Sequence, residues 1–143
     1  MITGAGRGLG LAIAQCCVAR GDRVMGTLRE PSRDEGLLAL ERSAPDRVHV
    51  LPLDVGIEAD VAALGREVAA RTGHVDVLIN NAGINASSPD VGVRTRAADL
   101  EQLDGGALMM LLRTNAIGPV LVARAARQRG GRHATLSLSL IHI

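Results

Sequence analysis

Glycines at alternate positions near the start of the chain form a pattern suited to holding a phosphate group. They lie between a short apolar stub and an amphipathic stretch over residues 9–20, and are Gly4, Gly6, Gly8 and Gly10. A tight turn from strand to helix needs glycine, because its backbone angles are disfavoured by a Cβ. A bare backbone also lets a phosphate approach the free N–H groups and the positive end of the helix dipole. The segment therefore predicts a phosphate-binding turn, with an ordinary tight turn as the alternative.

The spacing of these glycines distinguishes between nucleotide-binding motifs. A G-x-G-x-x-G pattern that starts at Gly4 would need a glycine at Leu9, and one that starts at Gly6 would need it at Leu11. No Gly-Lys-Ser/Thr follows, so a P-loop is excluded as well. The pattern that fits is T-G-x-x-x-G-x-G, formed by Thr3, Gly4, Gly8 and Gly10.

Length, charge and composition restrict the class of protein. The chain has 143 residues and a formal net charge of +1, which favours one domain with a sizeable core and gives no indication of a nucleic-acid partner or an anionic membrane surface. Neither a signal peptide nor an apolar run of membrane-spanning length is expected. The chain contains no Phe, Tyr or Trp. Its core must therefore be aliphatic, and no aromatic side chain can stack on a ligand.

The histidines and cysteines predict no metal site. None of the four histidines has metal-ligand spacing to another. The adjacent Cys16 and Cys17 are poorly placed to bridge each other and favour a reducing, cytoplasmic setting, with a reactive thiol as the alternative.

Strands and helices alternate along the rest of the chain. Helices are predicted at residues 9–20, from a capping box at Ser32 and Glu35, at 57–71 and at 107–128. Strands are predicted at residues 23–28, 48–53, 75–79 and 133–137, with a polar, irregular stretch at 85–106. This alternation predicts an α/β fold with a doubly wound parallel sheet of Rossmann type, incomplete and ending at about the fifth strand.

Two further motifs follow predicted strands, at the edge of the sheet where ligands bind. The first is Asp54-Val55, whose carboxylate could accept a hydrogen bond from an adenine amino group or, equally well, cap the next helix. The second is the segment 80–83, Asn-Asn-Ala-Gly. Its small residues would let a cofactor lie against the backbone while the Asn amides cross-link neighbouring loops, and an ordinary turn is the alternative.

In this order the three motifs resemble the short-chain dehydrogenase/reductase family, over about residues 2–137. The resemblance implies that the glycine turn binds the pyrophosphate of a dinucleotide, that Asp54 and Val55 contact adenine, and that the segment 81–83 lies beside the adenosine ribose. The implied cofactor-binding residues are Thr3, Gly4, Arg7, Gly8, Leu9, Gly10, Asp54, Val55, Asn81, Ala82 and Gly83.

The resemblance also implies one catalytic residue, Asn115. In the family this Asn sits at a helix irregularity and holds a water in the proton relay, while the alternative is a polar residue before a Gly-Pro bend. The segments 26–31 and 115–126 look most like carbonyl-reductase-like members, of the C-factor and sniffer type.

Residues at the end of the second predicted strand indicate the choice of cofactor. An acidic residue about twenty positions beyond the glycine loop would hold a ribose with free hydroxyls. That neighbourhood contains Thr27, Leu28 and Arg29, and the Arg29 guanidinium suits a 2′-phosphate, with Arg7 as a second positive charge. NADP(H) is therefore predicted over NAD(H). Glu30 would restore an acid if the register moved by one residue, and Arg29 could also be a solvated loop charge.

The chain departs from the family at both ends. Only Met1 and Ile2 precede the Thr-Gly pair, where the family has a longer, central first strand. The family's catalytic Tyr and Lys are missing, since the chain contains neither residue type. Residues 138–143 resemble a translated sequencing adaptor, with a genuine strand as the alternative. We therefore expect a fragment, in which residues 1–137 form a partial NAD(P)-binding Rossmann domain and 138–143 a non-native tail.

These features lead to an expectation for the parent protein. It should transfer hydride between NADP(H) and a small carbonyl or alcohol substrate, and this chain should hold the cofactor without catalysing the reaction alone. A non-catalytic nucleotide-binding module is the alternative, and a methyltransferase is disfavoured by the glycine spacing. The parent is also expected to form homo-oligomers, because the helix at 107–128 matches one that family members often use in dimers, although a buried helix would give the same pattern.

Overall fold

The computed structural model describes residues 1–30, 35–85, 105–127 and 134–137. Its helices are α1 (Gly8–Ala19), α2 (Glu35–Ser43), α3 (Glu58–Arg71), α4 (Gly105–Leu112) and α5 (Gly118–Ala126). Its strands are β1 (Val24–Leu28), β2 (Val48–Pro52), β3 (Val77–Asn80) and β4 (Ala134–Ser137). A π-helical turn, Arg113–Ile117, joins α4 to α5 in one continuous helix.

The strands form a parallel sheet around the short N-terminal stub. β1 pairs with β2, and β3 pairs with β4, both in parallel. Ile2 bridges Gly26 of β1 on one side and Ile79 of β3 on the other, also in parallel. The order across the sheet is therefore β2, β1, stub, β3, β4. The chain moves outward from the stub in both directions, which confirms the predicted doubly wound topology.

The stub is hydrogen-bonded on both sides. The Ile2 amide donates to the Met25 carbonyl at 2.9 Å, and the Thr3 amide donates to the Ile79 carbonyl at 2.9 Å. The amino group of Met1 donates to a β3 carbonyl at 2.7 Å. Burial lowers the pKa of this amino group, because the ammonium form loses hydration. The predicted central position of this first strand is thus confirmed.

Two apolar clusters cover opposite faces of the sheet. The cluster on the α1 and α2 side includes Ile2, Ala14, Val18, Val24 and Leu37. The cluster on the α3 and α5 side includes Leu53, Val61, Leu64, Val68 and Val122. Their members are aliphatic, as a chain without aromatic residues requires, and helices therefore pack on both faces of the sheet.

The predicted helix at residues 107–128 differs in shape and ends from the observed one, which runs from Gly105 to Ala126. In an uninterrupted α-helix, the separation between Ala107 and Ala126 would leave them about 100° apart around the axis. The π-helical turn absorbs one extra residue. Both alanines can then lie on the same face, and both are buried.

The same helix also corrects an expectation about membrane-spanning length. It has 22 residues, and an 18-residue window within it has a mean hydropathy of 1.5, so by length and composition it could cross a membrane. The expectation that no apolar run reaches this length is therefore wrong. In the structure Gly118, Val122 and Ala126 are buried, whereas Leu108 and Val120 are exposed. One face of the helix thus packs against the sheet and α3, and the other is open.

Other boundaries differ by small amounts or lie outside the described residues. β3 begins at Val77, two residues later than predicted, and Val77 is 47% exposed. The predicted capping residue Ser32, residues 86–104 of the predicted irregular stretch and the predicted tail 138–143 are outside the described residues.

The apolar cluster under α2 predicts a large cost for truncating Leu37, which is fully buried. Leu37→Ala should lower the free energy of unfolding by about 2–5 kcal/mol, because it removes packed methyl groups and leaves a cavity. The matched control is Leu108→Ala, since Leu108 is 50% exposed, and it should change stability by no more than about 0.5 kcal/mol. Urea denaturation measures both, and equal losses would contradict this packing.

Candidate functional site

A cavity of about 1060 Å³ opens at the carboxyl ends of β1, β2 and β3. The predicted site residues that line it are Gly4, Arg7, Gly8, Arg29, Asp54, Val55, Asn81, Ala82 and Gly83. The long helix supplies a further wall, formed by Gly106, Met109, Met110, Arg113 and Thr114. The cavity lies beside the stub, where β1 and β3 lead away in opposite directions. This is the switch point at which doubly wound sheets bind their ligands.

Apart from Arg7, the glycine turn presents backbone rather than side chains to this cavity. Gly8 has a φ of +56°, and a Cβ there would meet nothing within 4 Å, so conformation rather than lack of space favours glycine. α1 begins at Gly8 after the N-cap residue Arg7. The Arg7 side chain makes no capping hydrogen bond, and no acidic residue lies in the first turn of α1. The first N–H groups of α1 and its dipole are therefore suited to an anion.

Gly4 is where the turn packs against the loop after β3. Its φ is +64°, and a Cβ would lie 2.9 Å from the Cα of Ala82. Two neighbours of the turn do not line the cavity: Gly10 is buried beneath it, and Leu9 is 48% exposed. Their predicted cofactor contacts stay predictions.

Hydrogen bonds between Thr3 and Asn81 hold the glycine turn against the end of β3. Thr3 Oγ1 accepts from the backbone N–H groups of Asn81 and Ala82, both at 3.0 Å. Asn81 Nδ2 donates to the carbonyl oxygens of Thr3 and Gly4, both at 3.0 Å. The expectation that an Asn amide cross-links neighbouring loops is confirmed for Asn81. Thr3 is buried and does not line the cavity, so its role here is to position the turn, and its predicted cofactor contact stays a prediction.

Asp54 shapes the entry to α3 while it lines the cavity. Its Oδ1 accepts from the Gly56 amide at 2.8 Å, which forms an Asx turn. Its own amide donates to Oδ2 of Asp60, in the first turn of α3, at 3.1 Å. This Asx turn lies before α3, whose N-cap is Ile57, so Asp54 does not cap the helix. Its contact with adenine stays a prediction. Sequence reasoning missed Asp60, although an acidic residue in a first helical turn is a known signal.

Both polar ends of the Asn115 side chain bond to the backbone of Ile84. Oδ1 accepts from the Ile84 amide at 2.9 Å, and Nδ2 donates to the Ile84 carbonyl at 2.6 Å. These bonds tie the π-helical turn to the segment that follows Gly83. Asn115 does not line the cavity, whereas its neighbours Arg113 and Thr114 do. The helix irregularity expected at Asn115 is present, and its predicted catalytic role stays a prediction.

Charged side chains surround the cavity at the end of β1 and in the turn. Arg29 and Glu30 both line it, together with Arg7. Arg29, the cation predicted to bind a 2′-phosphate, thus lines the cavity, and so does the acidic residue Glu30. Sequence reasoning missed the wall that carries Met110 and Arg113. Gly106, Met110 and Arg113 follow one another at spacings of four and three residues, which was the available signal, because such residues share one face of a helix.

The sheet, the turn and the cavity at the switch point define a dinucleotide-binding domain of the doubly wound type. A family model described as short chain dehydrogenase matches residues 1–132. The chain belongs to this family of oxidoreductases.

Similarity to individual members covers almost the whole chain but only part of each relative. A farnesol dehydrogenase from Aedes aegypti is 37% identical over 130 residues, which are 90% of this chain and 49% of the relative. A short-chain dehydrogenase from Streptomyces avermitilis is 35% identical with a TM-score of 0.78, over 95% of this chain and 46% of that one. An NADPH-bound carbonyl reductase from chicken fatty liver is 29% identical with a TM-score of 0.74, over 87% and 49%. The chain therefore spans about half the length of these relatives.

The hydrogen bonds to Thr3 predict that replacing threonine by valine costs stability at Thr3 and not at the other buried threonine, Thr27. Thr3→Val should lower the free energy of unfolding by about 2–4 kcal/mol, because the amides of Asn81 and Ala82 lose their acceptor. Thr27→Val is the matched control. The buried Thr27 hydroxyl has no hydrogen-bond partner among the residues that the structure describes, so its loss should be neutral or stabilising. Thermal or urea unfolding measures both, and a similar cost at the two positions would contradict this assignment.

Proposed function

We propose that this chain is the cofactor-binding half of an NADP(H)-dependent oxidoreductase that acts on a small carbonyl or alcohol substrate. The observation that carries the proposal is the juxtaposition of Arg29 and Arg7 with the bare backbone of the glycine turn, in one cavity at the switch point. Membership of the short-chain dehydrogenase family supports the oxidoreductase chemistry. When bound, the nicotinamide cofactor supplies or accepts the hydride.

The residues of the cavity fit the parts of such a cofactor. The N–H groups at the start of α1, which the N-cap side chain of Arg7 leaves uncapped, would bind the pyrophosphate. The guanidinium of Arg29, with that of Arg7, would bind the 2′-phosphate, since a planar guanidinium matches phosphate oxygens in a bidentate manner. Asp54 would accept from the adenine amino group. Ala82 and Gly83, which add little side-chain bulk, would let the ribose lie against the backbone after β3.

The preference for NADP(H) is supported by charge. Arg29 stands where a carboxylate would bind a ribose with free hydroxyls, and a carboxylate would repel the 2′-phosphate. The chicken liver carbonyl reductase, which resembles this chain in fold, has NADPH bound. Glu30 also lines the cavity, one position beyond Arg29.

The catalytic step requires groups that this chain does not contain. In the family a Tyr donates the proton and a Lys lowers its pKa, and the 143 residues include neither type. The chain alone is therefore proposed to bind the cofactor without turnover. Asn115 would position the proton relay of the complete enzyme, where the Ile84 backbone orients it.

The setting proposed for the parent protein is the cytoplasm. Cys16 is exposed and Cys17 is half-buried, and both are free thiols. Free, exposed thiols are typical of a reducing compartment.

The proposal predicts that Arg29→Glu reverses the preference between the two cofactors. The wild-type chain should bind NADPH more tightly than NADH, and the variant should lower the ratio of their affinities by about 10- to 100-fold, the value of one or two charge-assisted hydrogen bonds. Titration followed by the fluorescence of the reduced nicotinamide measures both dissociation constants. The control is Arg66→Glu, which makes the same charge change at an exposed position of α3, and it should leave the ratio unchanged. An unchanged ratio in Arg29→Glu would contradict the choice of NADP(H).

A further inference from the structure

One wall of the cavity comes from the opposite face of the sheet to the glycine turn. The turn leads into α1, which packs on the cluster that contains Leu37, whereas the long helix packs on the cluster that contains Val122. The long helix turns Met109, Met110 and Arg113 toward the cavity. A ligand in the cavity would therefore lie between the glycine turn and this helical wall.

The backbone of Arg113 is held in the π-helical turn, while its side chain makes no bond to the described residues. Its carbonyl accepts the hydrogen bond that closes the π-helical turn, from the Gly118 amide. Its guanidinium forms no hydrogen bond or ion pair with any residue in the described part of the chain, and the residue is exposed. Its position is thus determined by the helix, while its polar group is free to bind a ligand.

The wall around Arg113 stands over the end of β2. A Cβ on Gly56 would lie 3.6 Å from Oγ1 of Thr114, the next residue along the turn. A Cβ on Gly118 would lie 2.8 Å from the carbonyl oxygen of Val55. The π-helical turn therefore packs directly on the segment that begins with Asp54, where the base of the dinucleotide is proposed to lie.

We propose that the guanidinium of Arg113, together with the thioether of Met110, covers one face of the adenine base. The inference rests on the proposed function, because it requires an adenine nucleotide in this cavity. A planar, delocalised guanidinium stacks on aromatic faces, and a thioether makes favourable contacts with aromatic rings. No aromatic side chain in the sequence can do so.

Stacking, rather than binding of the 2′-phosphate, is the role that the position of Arg113 favours. The 2′-phosphate already has two candidate cations, Arg29 at the end of β1 and Arg7 in the glycine turn. Arg113 reaches the cavity from the other face of the sheet and beside the Asp54 segment. Its effect should therefore depend on the presence of a base and not on the number of phosphates.

The test compares the wild-type chain with Arg113→Lys, which keeps the positive charge but replaces the planar guanidinium with an ammonium group. The probes are 5′-AMP, 2′,5′-ADP and ribose 5-phosphate, titrated by calorimetry or by NMR shift changes. Arg113→Lys should lower the affinities for 5′-AMP and 2′,5′-ADP by the same factor, on the order of 3- to 10-fold. It should leave the affinity for ribose 5-phosphate unchanged. Arg66→Lys, on the exposed face of α3, should change none of the three affinities.

Other results would overturn the inference. If Arg113→Lys retains the wild-type affinity for 5′-AMP, Arg113 does not stack on the base. If it lowers the affinity for 2′,5′-ADP alone, Arg113 binds phosphate instead. If the wild-type chain binds neither nucleotide, the proposed function fails and this inference fails with it. If Arg29→Glu changes the preference between the nucleotides while Arg113→Lys has no effect, only the stacking role is wrong. Met110→Ala provides an independent variant. It too should lower the affinities for both nucleotides and leave the affinity for ribose 5-phosphate unchanged.

Discussion

The reciprocal hydrogen bonds between Thr3 and Asn81 are the constraint on which the site depends. The glycine turn has few side chains that could fix its path: Ala5 is buried in the core, and its amide donates to the Thr27 carbonyl at 2.8 Å, while the rest of the turn needs support from its neighbours. Thr3 and Asn81 supply this support. The Thr3 hydroxyl accepts hydrogen bonds from two backbone amides after β3, and the Asn81 side-chain amide donates to two carbonyl oxygens of the turn.

A second constraint is the π-helical turn in the long helix. It keeps Ala107 and Ala126 on one buried face although their separation does not fit the α-helical repeat. It also carries Asn115 to the Ile84 backbone and places Arg113 at the cavity. The local departure from α-helical geometry therefore joins the helix to two strand ends, β2 at Val55 and β3 at Ile84, and closes the side of the crevice that the glycine turn leaves open.

The fold could be predicted from local patterns, but much of the site could not. Strand and helix periods alternate clearly, and the short stub still pairs on both sides because Ile2 sits between β1 and β3. The irregularity in the long helix was expected at Asn115 from the family resemblance, whereas the residue pattern alone predicted an uninterrupted helix at 107–128. The pairing of Asn115 with Ile84 joins residues far apart in sequence, and only packing brings Arg113 into the cavity. Motif reasoning therefore found the glycine turn and the strand ends that line the crevice and missed the helical wall that faces them.

The short central stub also has a consequence for how the chain folds. Its partners in the sheet are distant along the chain, since Ile2 bridges Gly26 and Ile79, so neither pair can form as a local hairpin. Each requires closure of a long loop before any contact energy is gained, and the loop to β3 is the longer. The β1–β2 pairing and the pairing of the stub with β1 both join residues 24 positions apart, so both can form before β3 pairs with the stub. The glycine turn and its Thr3–Asn81 bonds are then among the last features to assemble, so the binding crevice becomes complete only when the two halves of the sheet meet.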